Sequence, residues 1–166
     1  MNSLPLLFQL PNNIGILELS PQVLNHFDKH KQKKWLSCEA GGQLFAEIIE
    51  KPFRIRITEV TGPRKTDRRS VFGYVPDRDA EKVEIAERYL RNIDFVGDWH
   101  THPQKIPIPS STDESSMFEM VQQSNYDLPG LLMIIIGQSI FPEGIHVSFY
   151  SKASSVRLTP IASSAN

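Results

Sequence analysis

Cysteine is almost missing from this chain. Cys38 is the one cysteine in 166 residues, so no intramolecular disulfide can form and a reducing, cytoplasmic setting is expected. A charge excess of either sign is missing as well. Eighteen Lys and Arg face 19 Asp and Glu, for a formal net charge of −1. That balance offers no broad attraction to nucleic acid or to an anionic membrane, and neither is expected as a partner. Long apolar runs are also lacking. Leu131 to Ile136 is the longest; it falls well short of the roughly 20 residues that span a bilayer and reads as a buried strand. The opening MNSLPLLFQLPNN has no basic n-region and too short an apolar stretch for a signal peptide. No repeat or low-complexity segment interrupts the chain. With 40% hydrophobic and 22% charged residues, it is expected to fold as one globular domain over residues 1–166, its last five residues (162–166) frayed.

The pattern mixes strands and helices. Short strands are expected at Leu6–Leu10 and Ile14–Leu19, around a Pro11-Asn12-Asn13 turn. Ser20-Pro21 reads as N-cap and first helical residue, followed by an apolar stripe of Val23, Leu24 and Phe27. The lysine-rich run Lys29–Lys34 reads as a solvated helix end. Strands follow at Gly42–Ile49, at Phe53–Val60 with clean alternation, and at Ser70–Val75 after the basic loop GPRKTDRRS. Asp77–Asn92 reads as an amphipathic helix with Val83, Ile85, Ala86, Tyr89 and Leu90 near one face. Then come a strand over Phe95–Thr101, a helix over Ser111–Asn125 with Met117, Met120 and Val121 inward, strands at Leu131–Ile136 and Ile145–Tyr150, and a further one at Val156–Ile161. Without a strict βαβ rhythm, this order predicts an α/β sandwich built on a mixed, mostly antiparallel sheet.

The chemistry concentrates in Gly97–Ser116, GDWHTHPQKIPIPSSTDESS. Residues two apart in a strand share a face, so His100 and His102 project together from Cα atoms roughly 6.5 Å apart. Two imidazoles at that spacing can converge on one ion. Pro103, Pro107 and Pro109 stiffen the link to the next helix. Ser110 and Asp113 open that helix, where a carboxylate is favoured by the dipole. His100, His102 and Asp113 thus offer three ligands with one position left for a bound water, the arrangement of a catalytic Zn2+, one per chain. The bland alternatives are an unpaired H-x-H, Asp113 as a dipole-complementing carboxylate, and Ser110 as a plain cap.

The H-x-H-P, seven-residue and S-x-x-D spacing resembles the JAMM motif of the JAB/MPN metalloprotease family. The upstream Glu39-Ala40-Gly41-Gly42 segment matches that family's E-x-G-G. The resemblance covers most of the chain. It implies a cytidine-deaminase-like sandwich, with a partly curled sheet flanked by helices. It also implies roles: Glu39 as the general base toward the water and later the acid toward the leaving amine, and Ser110 as a donor to the oxyanion. The segments GPRKTDRRS, VPDRDAEKVEI and FVGDWHTHP are similar to a bacterial branch encoded in CBASS anti-phage operons. That branch implies an isopeptidase that reverses conjugation, acting after the flexible C-terminus of a cGAS-like nucleotidyltransferase or a ubiquitin-like protein. A hydrolase of small amide or thiocarboxylate substrates, or a non-catalytic MPN scaffold, would carry much of the same pattern.

Other residues have plainer readings. Glu47 and Glu50 lie farther along the Glu39 strand or at its end and suit salt bridging or solvation. Asp98 shares the histidines' parity and reads either as a carboxylate orienting an imidazole or as an exposed edge residue. Trp99 faces the other way, into the core. Cys38 reads as a small buried hydrophobe. His26, His30 and His146 match no ligand pattern. Arg64, Lys65, Arg68 and Arg69 read as a solvated loop or as a docking surface for an acidic partner.

Overall fold

The computed structural model describes residues 4–161; the frayed tail expected at 162–166 lies outside them. Strand β1 (Leu6–Gln9) turns at Pro11–Asn13 into β2 (Ile16–Leu19). Ser20 then caps α1 (Pro21–His30), its hydroxyl accepting from the Val23 amide. Strands β3 (Gly41–Glu50) and β4 (Phe53–Val60) form a hairpin, and a smaller hairpin, β5 (Arg68–Ser70) and β6 (Gly73–Val75), follows. The remaining elements are α2 (Arg78–Tyr89), β7 (Asp94–Thr101), α3 (Ser111–Gln123), β8 (Leu131–Ile136), β9 (Ile145–Tyr150) and β10 (Ser155–Arg157).

Eight strands make one sheet in the order β1-β2-β4-β3-β7-β8-β9-β10. Two of its pairings, β2 with β4 and β7 with β8, are parallel and the others antiparallel, as the mixed pattern led one to expect. The sheet curls until its edges meet: Phe8 bridges Pro160, and the Ile161 amide donates to the Leu7 carbonyl at 2.8 Å. The face toward α1 holds the larger core, where Phe27, Leu44, Ile57, Trp99 and Ile134 are fully or almost fully buried. The other face holds a smaller core of Met117, Val121, Leu131, Met133, Ile135 and Tyr150 beneath α3. Strand β8 is buried on both faces, which is why it reads as an unbroken apolar run rather than an alternating one.

Three expectations are corrected. Ser70–Val75 is not one strand but the far half of the β5–β6 hairpin, which turns at Val71-Phe72. The Lys29–Lys34 run is not a solvated helix end throughout. Lys31 is buried, donating to the Ser139 carbonyl at 2.7 Å and pairing with Asp28, and Gln32 is fully buried. The third correction concerns α2. Val83, Tyr89 and Leu90 lie exposed, and the inward face carries Glu81, Glu84 and Arg88. Glu84 pairs with Arg64, and Arg88 and Arg91 both pair with Glu59 on β4. Ion pairs therefore seat α2 on the sheet in place of apolar packing. Arg64 is correspondingly no free loop charge, since Glu84, Asp67 and Glu81 all lie within salt-bridge reach.

Gly97 sits where β7 passes β8, at φ 142°, and a Cβ there would lie 1.9 Å from the Leu132 carbonyl oxygen. Both the backbone angle and the contact require glycine. Gly97→Ala is expected to cost about 3 kcal/mol or more of folding stability, read as a lowered urea midpoint with an unchanged m-value.

Candidate functional site

The antiparallel pairing of β3 with β7 sets Gly41 opposite His100 and Gln43 opposite Asp98. Glu39 precedes β3 by two residues, so this register carries it alongside the end of β7. Glu39, His100 and His102 each present a ligand atom within 4.8 Å of the others. The two histidines project together as strand parity predicts, their Nε2 atoms 3.1 Å apart. Asp113, in the first turn of α3, closes the group: Oδ1 lies 3.2 Å from His100 Nε2 and Oδ2 lies 3.4 Å from His102 Nε2. The three side chains are each less than a fifth exposed.

These three separations can be tested against a metal. Ligand bonds of about 2.0–2.1 Å in a tetrahedron put donor atoms roughly 3.3 Å apart. The 3.1 Å between the imidazole nitrogens and the 3.2 Å from His100 to Asp113 Oδ1 match edges of such a tetrahedron, while the 3.4 Å contact of His102 is to the other carboxylate oxygen, Oδ2. Neutral imidazoles and a carboxylate also form a fitting donor set for a divalent ion.

Electrostatics follow from this crowding. Burial pushes the Glu39 carboxyl above its ordinary range, against the pull of His100 and His102. Burial works against the Asp113 carboxylate too, but hydrogen bonds from both histidines outweigh it and hold the group far below the usual carboxylate range. Burial alone would lower His102, yet its hydrogen bond to Asp113 and the charge there raise it.

Ser110 and Asp113 form a capping box. The Ser110 hydroxyl accepts from the Asp113 amide at 3.1 Å, and Asp113 Oδ2 accepts from both the Ser110 amide and its hydroxyl at 2.7 Å. The cap and the metal-type reading of Asp113 are therefore one arrangement: the helix start aims the carboxylate at the imidazoles.

Glu39 is held by its backbone. Its amide donates to the Ser70 carbonyl at 2.7 Å, and Arg69 Nε donates to its carbonyl at 2.6 Å. Both grips come from β5. Tyr74 of β6 lies over Gly41, where a Cβ would meet the ring at 2.7 Å, so the glycine lets the hairpin close down beside the site. Behind Glu39, Thr101 Oγ1 accepts from the Ala40 amide at 2.9 Å and donates to Gln32 Oε1 at 3.0 Å. Gln32 in turn donates to the carbonyls of Ser37 and Val71.

Two clefts meet here. One, of about 730 Å³, runs between α2 and α3 past His100; the other, of about 480 Å³, runs under Phe72 past His102 and Ser110. Glu39, Tyr74, Thr112 and Asp113 line both.

A model for prokaryotic homologs of the JAB domain matches residues 22–150. The chain belongs to that family. A CD-NTase/cGAS isopeptidase of Pseudomonas aeruginosa is 28% identical over 137 residues, covering 80% of this chain and 84% of its own. A CD-NTase/cGAS isopeptidase of Escherichia coli is 24% identical over 141 residues, covering 83% and 85%. A probable metalloprotease, y4qB, of Sinorhizobium fredii is 27% identical over 107 residues, covering 62% and 65%. In fold, this JAB-family chain is similar to the solution structure of protein DSY2949 from Desulfitobacterium hafniense, with TM-score 0.59, 17% identity and coverage of 84% of this chain and 87% of that one.

Within this JAB-family site several residues have roles that the sequence did not disclose. Arg69 was one of four basic loop residues; its contact with Glu39 depends on the β5–β6 turn, for which Gly73 was the available signal. Asp98 is not an edge residue, because β7 lies between β3 and β8. Nor does it orient an imidazole: among the described residues it makes no hydrogen bond, and its Oδ1 is buried without a partner. Burial pushes it up to about 7, with Glu81 adding to the shift. Cys38 is exposed rather than buried. Glu47 pairs with Arg56, as salt bridging suggested. Trp99 is core, its indole donating to the Thr61 carbonyl at 2.9 Å. His26 accompanies it, bonded to the Gly62 carbonyl, and burial holds His26 below its usual range. His146 is buried against Ser148, with its pKa lowered by burial to about 4.

Thr101→Val removes one hydroxyl of nearly equal shape and leaves the Ala40 amide and Gln32 Oε1 unpaired. A loss of about 1–3 kcal/mol is expected, measured by denaturant titration, together with faster amide exchange at Ala40.

Proposed function

We propose that this chain is a zinc-dependent isopeptidase that hydrolyses the amide bond after the C-terminus of a conjugated CD-NTase, a cGAS-like nucleotidyltransferase, and so reverses conjugation in anti-phage defence. The observation that carries this reading is the His100–His102–Asp113 triangle with Glu39 beside it, placed where two clefts meet. A substrate chain can then lie on both sides of the bond to be cut. The names of the Pseudomonas aeruginosa and Escherichia coli relatives support the substrate class.

His100, His102 and Asp113 would hold the metal. A zinc ion there supplies a Lewis acid that lowers the pKa of a bound water toward about 7 and polarises a carbonyl. Glu39 takes a proton from the attacking water as its oxygen bonds to the carbonyl carbon. It returns that proton to the nitrogen as the C–N bond breaks, leaving a carboxylic acid, which passes its proton to solvent, and an amine. The β5 grip keeps the Glu39 backbone still through both transfers. Ser110 turns its hydroxyl from Asp113 to the developing oxyanion, which it stabilises by donation. We place the chain as one domain over residues 1–166 with cytidine-deaminase-like layering, acting in the cytoplasm, where its single Cys38 stays reduced.

Purified protein should contain one zinc per chain and cleave a fusion placed after a CD-NTase C-terminus, with activity lost to a chelator and restored by zinc. Glu39→Gln should keep its zinc and lose about 10²–10⁴-fold in kcat, whereas His100→Ala should lose the metal. Absence of stoichiometric metal would point to a scaffold, and an active, zinc-loaded Glu39→Gln protein would remove Glu39 from its role.

A further inference from the structure

The cleft between α2 and α3 leads away from His100 and Asp113, and Met117, Met120, Met133 and Asp98 line it. The chain has four methionines, and three of them are here. Unbranched thioether side chains adapt readily to a flexible aliphatic guest.

Several polar groups around this cleft have partners, while the Glu39 carboxylate stands with the two histidines and Asp98 has no partner among the described residues. Arg78 donates to Glu81 at 2.8 Å, Lys82 pairs with Asp79 at 3.4 Å, and Glu119 accepts from Gln123 at 3.0 Å. Asp98 makes no hydrogen bond or ion pair among the described residues, although its carboxyl is deeply buried and Oδ1 is shut off from solvent. What exposure the residue keeps is toward the cleft it lines. Its neighbour in register, Gln43, is also buried, and Gln43 Oε1 likewise lacks a donor. Two acceptor atoms without a hydrogen-bond partner thus stand on one face of the sheet, from adjacent strands. Buried acceptors are rarely left so, and a carboxylate in that position favours a cation most.

We propose that this cleft is a subsite for a lysine or arginine side chain of the substrate polypeptide. The aliphatic stem lies along Met117, Met120 and Met133, and the cationic head meets Asp98. The subsite rests on the reading above only in taking a polypeptide as the substrate. A long cationic side chain satisfies both halves of the cleft; an aliphatic one of equal length satisfies the methionines and leaves Asp98 unpaired, which is the basis of discrimination at such sites.

The three methionines also serve as reporters. Full-length protein carrying 13C-methyl methionine is titrated with N-acetyl-lysine methylamide and, separately, with N-acetyl-norleucine methylamide, which has a stem of equal carbon count without the ammonium. The lysine probe should shift the Met117, Met120 and Met133 methyl resonances and bind at least about tenfold more tightly, a difference of roughly 1.4 kcal/mol. Asp98→Asn should bring the two probes within about twofold. Equal affinities in the unsubstituted protein, or a lysine preference that survives Asp98→Asn, would overturn the subsite. The unsubstituted comparison decides even if the variant folds poorly. Binding is read without hydrolysis, so a protein that cleaves but ignores the lysine head rejects this subsite alone. One that binds lysine but cleaves nothing rejects the peptidase reading alone.

Discussion

The register between β3 and β7 is the constraint on which the site depends. Glu39 and His100 are separated by some sixty residues of chain, yet the Gly41–His100 and Gln43–Asp98 pairings bring them side by side. Side chains alternate with a period of two, so a one-residue slip would turn the histidines away from Glu39 and toward the α1 face. Several features oppose that slip. Thr101 grips the Ala40 amide, Gly97 admits the Leu132 carbonyl where no other residue could, and Trp99 is buried in the opposite core with its indole bonded to Thr61. The histidine–carboxylate cluster lies on one face of β7 and its anchors lie on the other.

Much of this was legible in the chain because it is local. Alternation placed His100 and His102 on one face, and S-x-x-D placed Asp113 in the first turn of a helix. The Ser20-Pro21 signal marked the start of α1. What the chain concealed is non-local. The inward face of α2 is polar because its partners, Arg64 and Glu59, belong to segments twenty or more residues away. Apolar periodicity therefore pointed to Val83, Tyr89 and Leu90, which lie exposed. Arg69 looked like a loop residue until the hairpin brought it onto the Glu39 backbone. Asp98 looked like an edge carboxylate because nothing near it in sequence shows that β7 is flanked on both sides.

The same separation of local and non-local holds for chemistry. A capping box is usually explained by the helix it starts. Here Ser110 and Asp113 satisfy the first turn of α3 and, in doing so, direct a carboxylate onto two imidazoles. Stability and site geometry use the same atoms, so a substitution at Ser110 alters both together. Glu39, by contrast, is positioned only through its main chain and leaves its side chain uncommitted to any structural bond.

The charged seat of α2 has a mechanical consequence. This helix forms one wall of the larger cleft, while α3 forms the other and is fastened by Met117 and Val121 in the smaller core. Water and dissolved ions compete with half-exposed charge pairs such as Arg91–Glu59, but they do not compete with buried hydrocarbon. The cleft is therefore built like a vice with one fixed jaw and one movable jaw. Any widening of the cleft falls to α2, and ionic conditions set how stiffly it resists.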